Sequence, residues 1–280
     1  MTTTNSREIT IKTIIPAFKG HLINSNLSSN TILTYVTAVK QYYGRFDKVD
    51  RVTIREYKLF LIENYSPRTV NVRIRAINSL LDFLGKNDLK VTAVKIQQKS
   101  FLENVISEED YSFFKNCLKK EKNLFWYFVI RFMASTGIRV GELVEIKVEH
   151  LMTGHIDLYS KGGKSRRVFI PEQLQSEVLL WVQDRNLSRG FVFLNRSGKP
   201  ITTRGISGQL KKLAIKYGIE PSVVYPHSFR HRFAKSFLER YNDISLLADL
   251  LGHESIETTR IYLRKTSTEQ QLIINKVVDW

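Results

Sequence analysis

Apolar and polar side chains in the first third of the chain alternate with the period of an α-helix. Between Thr31 and Phe46, large apolar residues recur at intervals of three and four positions. The same spacing predicts further helices over residues 12–24, 52–65 and 69–85. Residues 1–86 are therefore predicted to form an all-helical domain whose outer faces carry Lys and Arg.

The pattern changes after residue 86. Residues 87–105 have weak periodicity and several lysines, which predicts a linker. Residues 106–280 are predicted to form a second domain, in which a strongly apolar helix ends at Gly137. Its expected strands are EIKVEHL, HIDLYS, RRVFIP and GFVFLN, with KGGK as a hairpin turn. The predicted fold class is mainly α with a small antiparallel β-sheet.

Charge narrows the choice of partner. The 280-residue chain has 43 Lys and Arg against 27 Asp and Glu, and the net charge of +16 is spread over both halves. Such an excess favours a polyanion, most often nucleic acid. One cysteine, Cys117, permits no internal disulfide, which is typical of a reducing compartment. We find neither a signal-peptide pattern nor a run of roughly 18 apolar residues, so we expect a soluble cytoplasmic protein without a membrane partner.

The stretch PHSFRHRFA, residues 226–234, concentrates positive potential beside apolar positions. It is compatible with a solvated basic face, a metal site or a cradle for an anion. His227 and Arg230 share a helix face. His227 and His231 have a spacing that suits a metal, but without a nearby carboxylate or cysteine this interpretation is disfavoured. We predict that His231 is structural and bonds to the backbone.

Further reactive side chains follow glycine stops or turns, and they are Arg139, Lys161, His253 and Tyr262. Two guanidiniums offer forked donors for phosphate oxygens. A tyrosine can store a phosphate ester bond as phosphotyrosine, and lysine and histidine can move the protons. This chemistry requires neither a cofactor nor a metal.

Four motifs in this order resemble the boxes of the tyrosine recombinases, also called phage integrases: TGIRVGEL, SKGGKSRRVFIP, HSFRHRFA and LLGHESIETTRIY. The segment LSSNTILTYVTAVKQYY is similar to the helical core-binding domain of that family, and residues 106–280 are similar to its catalytic domain. The resemblance covers essentially the whole chain. It implies a simple two-domain member, similar to Xer and Cre, without an additional arm-binding domain.

The resemblance implies which residues hold the DNA phosphate. Arg139 and Arg230 would clamp the scissile phosphate. Glu142 would support the site, and His253 would donate a hydrogen bond to a non-bridging oxygen. Arg166 and Arg167 are assigned to solvent or to the DNA backbone, outside catalysis.

The resemblance also implies which residues carry the reaction. Tyr262 would be the nucleophile, forming a 3′-phosphotyrosyl bond. Lys161 would be the general acid toward the 5′-hydroxyl leaving group, with Lys164 as a rival. His227 would accept the tyrosine proton or hydrogen-bond the phosphate. Because the bond energy is conserved, no ATP is needed.

The implied partner is double-stranded DNA with inverted-repeat core sites, gripped by both domains as a clamp, in the cytoplasm at the nucleoid. Two protomers would bind each site and four would form the synapse, as a homo-oligomer or with a related recombinase, and strands would exchange through a Holliday junction. The apolar stripe Ile273, Val277 and Trp280 fits packing on its own domain or docking onto a neighbouring protomer.

Arg232, Leu263 and Arg264 depart from the pattern that is common in the family, at positions without a catalytic role. Two alternatives remain open. One is a nicking-closing enzyme similar to type IB topoisomerases, and the other is a DNA-binding relative that has lost catalysis. The histidine of HSFR and the compact helical domain favour a recombinase over the first, and the occupied catalytic positions argue against the second.

Overall fold

The computed structural model describes residues 2–96, 104–159, 165–253, 255–263 and 267–278, and only the backbone of residues 2–11 and 267–269. The chain divides into two compact units, Met1–Gln98 and Lys99–Trp280. Each unit has its own hydrophobic core. Most described residues are helical, and one two-stranded antiparallel sheet is present among them, which confirms the predicted fold class. Within this described part, no helix is both long enough and apolar enough to span a bilayer.

The first unit is built from helices that begin at polar caps. They are α1 (Thr2–Asn24), α2 (Ser29–Tyr43), α3 (Arg51–Asn64) and α4 (Pro67–Phe83), followed by a 3-10 turn at Asn87–Leu89. The Ser28 hydroxyl accepts the Thr31 N–H at 3.1 Å, and Asp50 forms a capping box with Thr53. Helix α1 begins well before the predicted start at residue 12, so Pro16 lies inside it.

Tyrosines fill much of the first core. Tyr42, Tyr43 and Tyr57 are at most 2% exposed, and burial raises the pKa of each to about 12. After α4 the chain returns over the bundle, where the Asn71 and Asn78 side chains exchange hydrogen bonds with the backbone of Val94 and Val91. The amides thus fix an irregular segment that lacks ladder partners of its own.

The second unit begins with helices and contains the sheet in its middle. Its elements are α5 (Glu108–Lys120), α6 (Leu124–Thr136), α7 (Val140–Leu143), α8 (Val148–Thr153), β1 (His155–Tyr159), β2 (Ser165–Phe169), α9 (Glu172–Asp184), α10 (Thr203–Lys216), α11 (Pro226–Arg240), α12 (Ile244–Leu251), α13 (Ile256–Arg260), a 3-10 turn (Ile261–Leu263) and α14 (Ser267–Val277). Phe132 and Met133 of α6 are fully buried. The buried Ser228 hydroxyl of α11 accepts the Ile106 N–H at 2.7 Å, so the segment before α5 is fixed to α11.

Strands β1 and β2 pair antiparallel, with Tyr159 opposite Ser165. Because side chains alternate along a strand, Arg166 and the buried Val168 lie on one face. Arg167 lies on the other face and makes a two-point ion pair with Asp157 across the sheet, at 2.7 and 2.9 Å. Two successive arginines of β2 therefore lie in different environments.

Two predicted strands are wrong. EIKVEHL contains helix α8 instead, because Val148 and Leu151 are buried three positions apart on one face of a helical turn. Gly154 ends this helix in the left-handed conformation, with φ 73°. In GFVFLN only isolated bridges form, from Phe191 to Lys147 and from Leu194 to Pro200. Short apolar runs do not separate a strand from a buried turn by pattern alone.

Candidate active site

Arg139 stands at the start of α7, immediately after the turn that ends α6. Gly137 makes this turn in the left-handed conformation, with φ 62°, and a Cβ there would overlap the ring of Phe233. Arg139 Nη1 donates to Glu142 Oε1 at 3.1 Å, and the Arg139 backbone N–H donates to Oε2 at 2.9 Å. Glu142 therefore orients an arginine whose side chain remains 39% exposed and is accessible to a ligand.

Arg230 on α11 is 2% exposed. Its Nη1 donates to the carbonyl of Gly137, and its Nη2 donates to the carbonyl of Leu251 at 2.7 Å. Burial, together with nearby Arg139, lowers the pKa of Arg230 to about 10, so the group stays cationic at neutral pH. Since these acceptors are neutral, they orient the cation without cancelling its charge, which suits an anionic ligand.

The C-terminal end of α12 receives three guanidiniums. Arg139 Nη2 donates to the carbonyl of Gly252 at 3.0 Å. Arg166 Nη1 donates to the carbonyl of Leu251 at 2.9 Å, the same oxygen that Arg230 contacts. The last carbonyls of a helix lack intrahelical donors and form the negative end of its dipole. The carbonyls at this helix end carry no net charge, and they orient the three guanidiniums by accepting hydrogen bonds from them.

Arg166 is the site residue that sequence reasoning misses. The sequence predicts that Arg166 contacts solvent or the DNA backbone. In the structure its side chain is only 10% exposed, and Nη2 lies 2.5 Å from Glu142 Oε2. Strand alternation was the available signal, because a residue two positions before the buried Val168 must share its face. The neighbouring Arg167 behaves as predicted for a surface residue, with its side chain 48% exposed.

His253 links the helix end to the following turn. Its Nε2 lies 3.1 Å from Arg230 Nη2, and its Nδ1 lies 2.8 Å from the Thr259 hydroxyl. Because arginine can only donate, Nε2 must accept and the proton of the neutral ring must be on Nδ1. Burial and the neighbouring arginines lower the pKa of His253 to about 4, which keeps the ring neutral at pH 7.

Tyr262 lies in the 3-10 turn and is only 6% exposed. Its ring stacks on that of His253 with centroids 6.2 Å apart and an interplanar angle of 17°, and lies 5.3 Å from the ring of His231. Burial raises the pKa of Tyr262, whereas Arg230 and Arg139 act in the opposite direction. A phenol next to two guanidiniums is arranged for attack on a phosphate that those cations would hold.

His227 and His231 lie on the same side of α11, with ring centroids 6.1 Å apart. His227 is exposed, and partial desolvation with Arg230 and Arg139 nearby lowers its pKa. His231 packs between His227 and Tyr262. The predicted backbone bond of His231 is wrong for Nδ1, which is buried and has no hydrogen-bond partner among the described residues. In the described ranges, no group of three or more His, Cys, Asp and Glu could hold a metal ion.

Lys161 and its rival Lys164 lie outside the described residues. The described residues that flank positions 160–164, Tyr159 and Ser165, line a cleft of about 810 Å³. Arg139, Arg166 and His253 line the same cleft. Among the described residues, the sequence-predicted set Arg139, Glu142, Arg230, His253 and Tyr262 is thus brought together in one site, and His227 lies beside it on α11.

We expect the free energy of unfolding to fall as the pH is lowered from about 6.5 toward 4. His231 and His253 have pKa values lowered from 6.5 to about 4 in the folded chain. Below pH 6.5 the unfolded chain binds protons that the folded chain does not, so the unfolded state gains stability. Urea unfolding across this range should show a shallower pH dependence for His231→Phe than for wild type. Equal slopes would contradict the burial of a neutral His231.

Known proteins share both the sequence pattern and this fold. Residues 104–269 match the model of the phage integrase family. The chain belongs to this family. Tyrosine recombinase XerA of Pyrococcus furiosus is 27% identical over 269 residues, which cover 93% of each protein. The predicted family and enzyme class, a tyrosine recombinase, are thereby confirmed.

Two solved structures share the fold of this chain over most of its length. XerH site-specific recombinase bound to palindromic difH substrate, in a post-cleavage complex, gives a TM-score of 0.70 at 21% identity, covering 91% of this chain and 81% of that one. A lambda integrase tetramer bound to a Holliday junction gives 0.71 at 14% identity, covering 91% and 79%. At these identities the likeness shows a shared fold, and the roles of individual residues remain predictions.

Proposed function

We propose that this tyrosine recombinase cleaves and rejoins duplex DNA at specific sites, with Tyr262 as the nucleophile. The observation that carries the proposal is the placement of one buried phenol beside two guanidiniums, Arg139 and Arg230, on a neutral scaffold of helix-end carbonyls. A phosphate diester carries one negative charge and gains more in the pentacoordinate transition state. Cations already fixed in place stabilise that charge without reorganisation.

The proposed cleavage exchanges one phosphate ester for another. Tyr262 Oη forms a bond to phosphorus while the bond from phosphorus to the 5′-oxygen breaks. The products are a 3′-phosphotyrosyl bond and a 5′-hydroxyl end. Attack by the 5′-hydroxyl of a partner strand reverses the step and releases Tyr262, so the number of ester bonds stays constant and no ATP is consumed.

The remaining site residues are proposed to transfer protons or to bind the phosphate. His227 would accept the phenol proton or hydrogen-bond the phosphate, and its lowered pKa favours the neutral ring that can accept a proton. Lys161 supplies a proton to the leaving 5′-oxygen. For His253 to donate to a non-bridging oxygen, its Nε2 must carry the proton. Binding of the phosphate would therefore replace the present contact between Arg230 Nη2 and His253 Nε2.

The proposed partners are double-stranded DNA and further copies of this chain. The net charge of +16 favours phosphate contacts that weaken with salt. The XerH structure contains a palindromic substrate, and the lambda integrase structure is a tetramer on a Holliday junction. These support inverted-repeat core sites that each bind two protomers, with four protomers in the synapse, or a related recombinase in place of some copies. Such a substrate would place the protein in the cytoplasm, at the nucleoid.

Helix α14 is the proposed contact between protomers. Of the predicted apolar stripe, Ile273 and Val277 are exposed, and Trp280 lies outside the described residues. Leu272 and Ile274 on the same helix are exposed as well. Packing on its own domain is therefore not seen for these residues, which leaves docking onto a neighbouring protomer as the proposal. Contiguous exposed apolar side chains are typical of an interaction surface.

Truncation after Ser267 is expected to abolish pairing of two DNA sites while single-site DNA binding and monomer stability stay close to wild type. The reason is that the removed side chains described in the structure contact solvent in the isolated chain. Sedimentation velocity of protein–DNA complexes measures site pairing and single-site binding, and urea unfolding measures the stability of the monomer. Ile273→Asp serves as a point variant. Unchanged site pairing by a normally folded truncated monomer would exclude docking through α14.

The proposed function is tested with a DNA duplex nicked near the cleavage point, so that the cleaved strand end diffuses away and religation stops. Wild type should form a covalent protein–DNA adduct that survives denaturation and forms in the presence of EDTA. The DNA must contain the recognition site, which selection from a library of duplexes can supply. Failure of wild type to form any adduct on selected, tightly bound DNA would exclude the proposed reaction.

A further inference from the structure

Arg166 occupies a position between the two arginines that are proposed to hold the phosphate. Its Nη2 lies 2.5 Å from Glu142 Oε2, and the other oxygen of Glu142 contacts Arg139. Its Nη1 donates to the Leu251 carbonyl at 2.9 Å, and the same carbonyl accepts from Arg230. One buried guanidinium thus shares one acceptor with Arg139 and a second acceptor with Arg230.

The backbone at the end of α12 is shaped around this side chain. Gly252 has a left-handed φ of 61°, and a Cβ at this position would overlap Cδ of Arg166 and lie 2.8 Å from its Nε. The guanidinium therefore passes directly over the turn that carries His253. A glycine at 252 is required both by its backbone conformation and by the close approach of Arg166.

Burying this cation has a cost that its surroundings only partly offset. Burial lowers the pKa of Arg166, Arg139 acts in the same direction, and Glu142 acts in the opposite one. The Arg166 Nε is buried without a hydrogen-bond partner among the described residues. A third guanidinium in an already basic site repels the other two, so this buried ion pair is weak evidence for a stabilising role.

We propose that Arg166 is a positioning residue, which fixes Glu142 and the end of α12 and thereby holds Arg139 and Arg230 at the separation that the scissile phosphate requires. This inference rests on the proposed function. Arg166 reaches its two acceptors with two separate nitrogens, so its action depends on the fork of the guanidinium and not on charge alone. Displacement of a phosphate-binding group by about 1 Å can reduce a rate roughly 100-fold.

The test compares Arg166→Met with Arg131→Met. Arg131 is a matched control because it is a similarly buried guanidinium, 12% exposed, paired with Glu177 on α9, outside the site. At saturating nicked duplex, the single-turnover cleavage rate of Arg166→Met should fall roughly 10- to 100-fold, with the Kd for DNA within about twofold of wild type. Arg131→Met should lower the unfolding midpoint to a similar extent and cleave at the wild-type rate. Arg166→Lys should not restore the rate, since one ammonium cannot span both acceptors.

A double-mutant cycle with Glu142→Gln separates positioning from general destabilisation. If Arg166 acts through Glu142, adding Arg166→Met to Glu142→Gln should cost much less than Arg166→Met costs in the wild type. Fully additive losses, or wild-type cleavage by folded Arg166→Met, would overturn the inference and leave the proposed function intact. Absence of an adduct with wild type would instead refute the proposed function itself.

Discussion

Arg230→Ala is expected to reduce single-turnover DNA cleavage by about 10²- to 10³-fold, the usual cost of losing one preorganised donor to a charged transition state. DNA binding should change little, because many phosphate contacts share the affinity. The large effect follows from the 2% exposure of this cation and from its contacts, which are neutral carbonyls and a neutral histidine. Its charge is therefore available to the phosphate. Quenched-flow or gel-based cleavage at saturating DNA measures the rate.

Removal of the Arg230 side chain is also expected to lower the stability of the fold. Loss of the side chain removes this donor from the Gly137 carbonyl, which costs about 1–3 kcal/mol for an unsatisfied buried group. The Leu251 carbonyl keeps the hydrogen bond from Arg166. Arg230→Lys keeps a donor there and separates the two effects, since it should fold better and still cleave poorly. Arg240→Ala, an exposed arginine in the last turn of the same helix, should cleave normally. Cleavage by folded Arg230→Ala within about fivefold of wild type would contradict the proposed clamp.

Tyr262→Phe is expected to eliminate the covalent adduct completely while retaining the fold and DNA binding. Phenylalanine preserves the stacked contact with His253 and the contact with His231, so the turn should keep its packing. Only the hydroxyl that forms the bond to phosphorus is lost. Tyr225→Phe is the matched control, because Tyr225 precedes α11, is partly buried and lies close enough to interact with Tyr262. It should form the adduct as wild type does.

Much of the site was predictable because its backbone signals are local. The glycines at 137 and 252 mark where helices end, and both adopt the left-handed conformation in the structure. Arg139 and His253 each follow such a stop, so their place at an edge of the core can be inferred. Their convergence with Tyr262 was inferred only from the order of the family's motifs, since spacing along a chain does not reveal contacts between distant helices.

What sequence reasoning missed depends on tertiary contacts. In the sequence, Arg166 is one of two adjacent basic residues after a predicted turn. Only the face of β2 on which each side chain lies distinguishes Arg166 from Arg167. The predicted strand at EIKVEHL failed because packing of Val148 and Leu151 on one face overrides weak strand propensity. His231 could not be assigned from pattern, because its environment comes from the ring of Tyr262, 31 positions away in sequence.

The most direct test of the central claim is to identify the atom that carries the DNA. Wild-type adduct formed on the nicked duplex is digested with protease and nuclease, and the nucleotide-bearing peptide is sequenced by mass spectrometry. The prediction is a single modified residue, Tyr262, linked to the 3′-phosphate. A nucleotide on any other residue, or an adduct that persists in Tyr262→Phe, would contradict the account of this site.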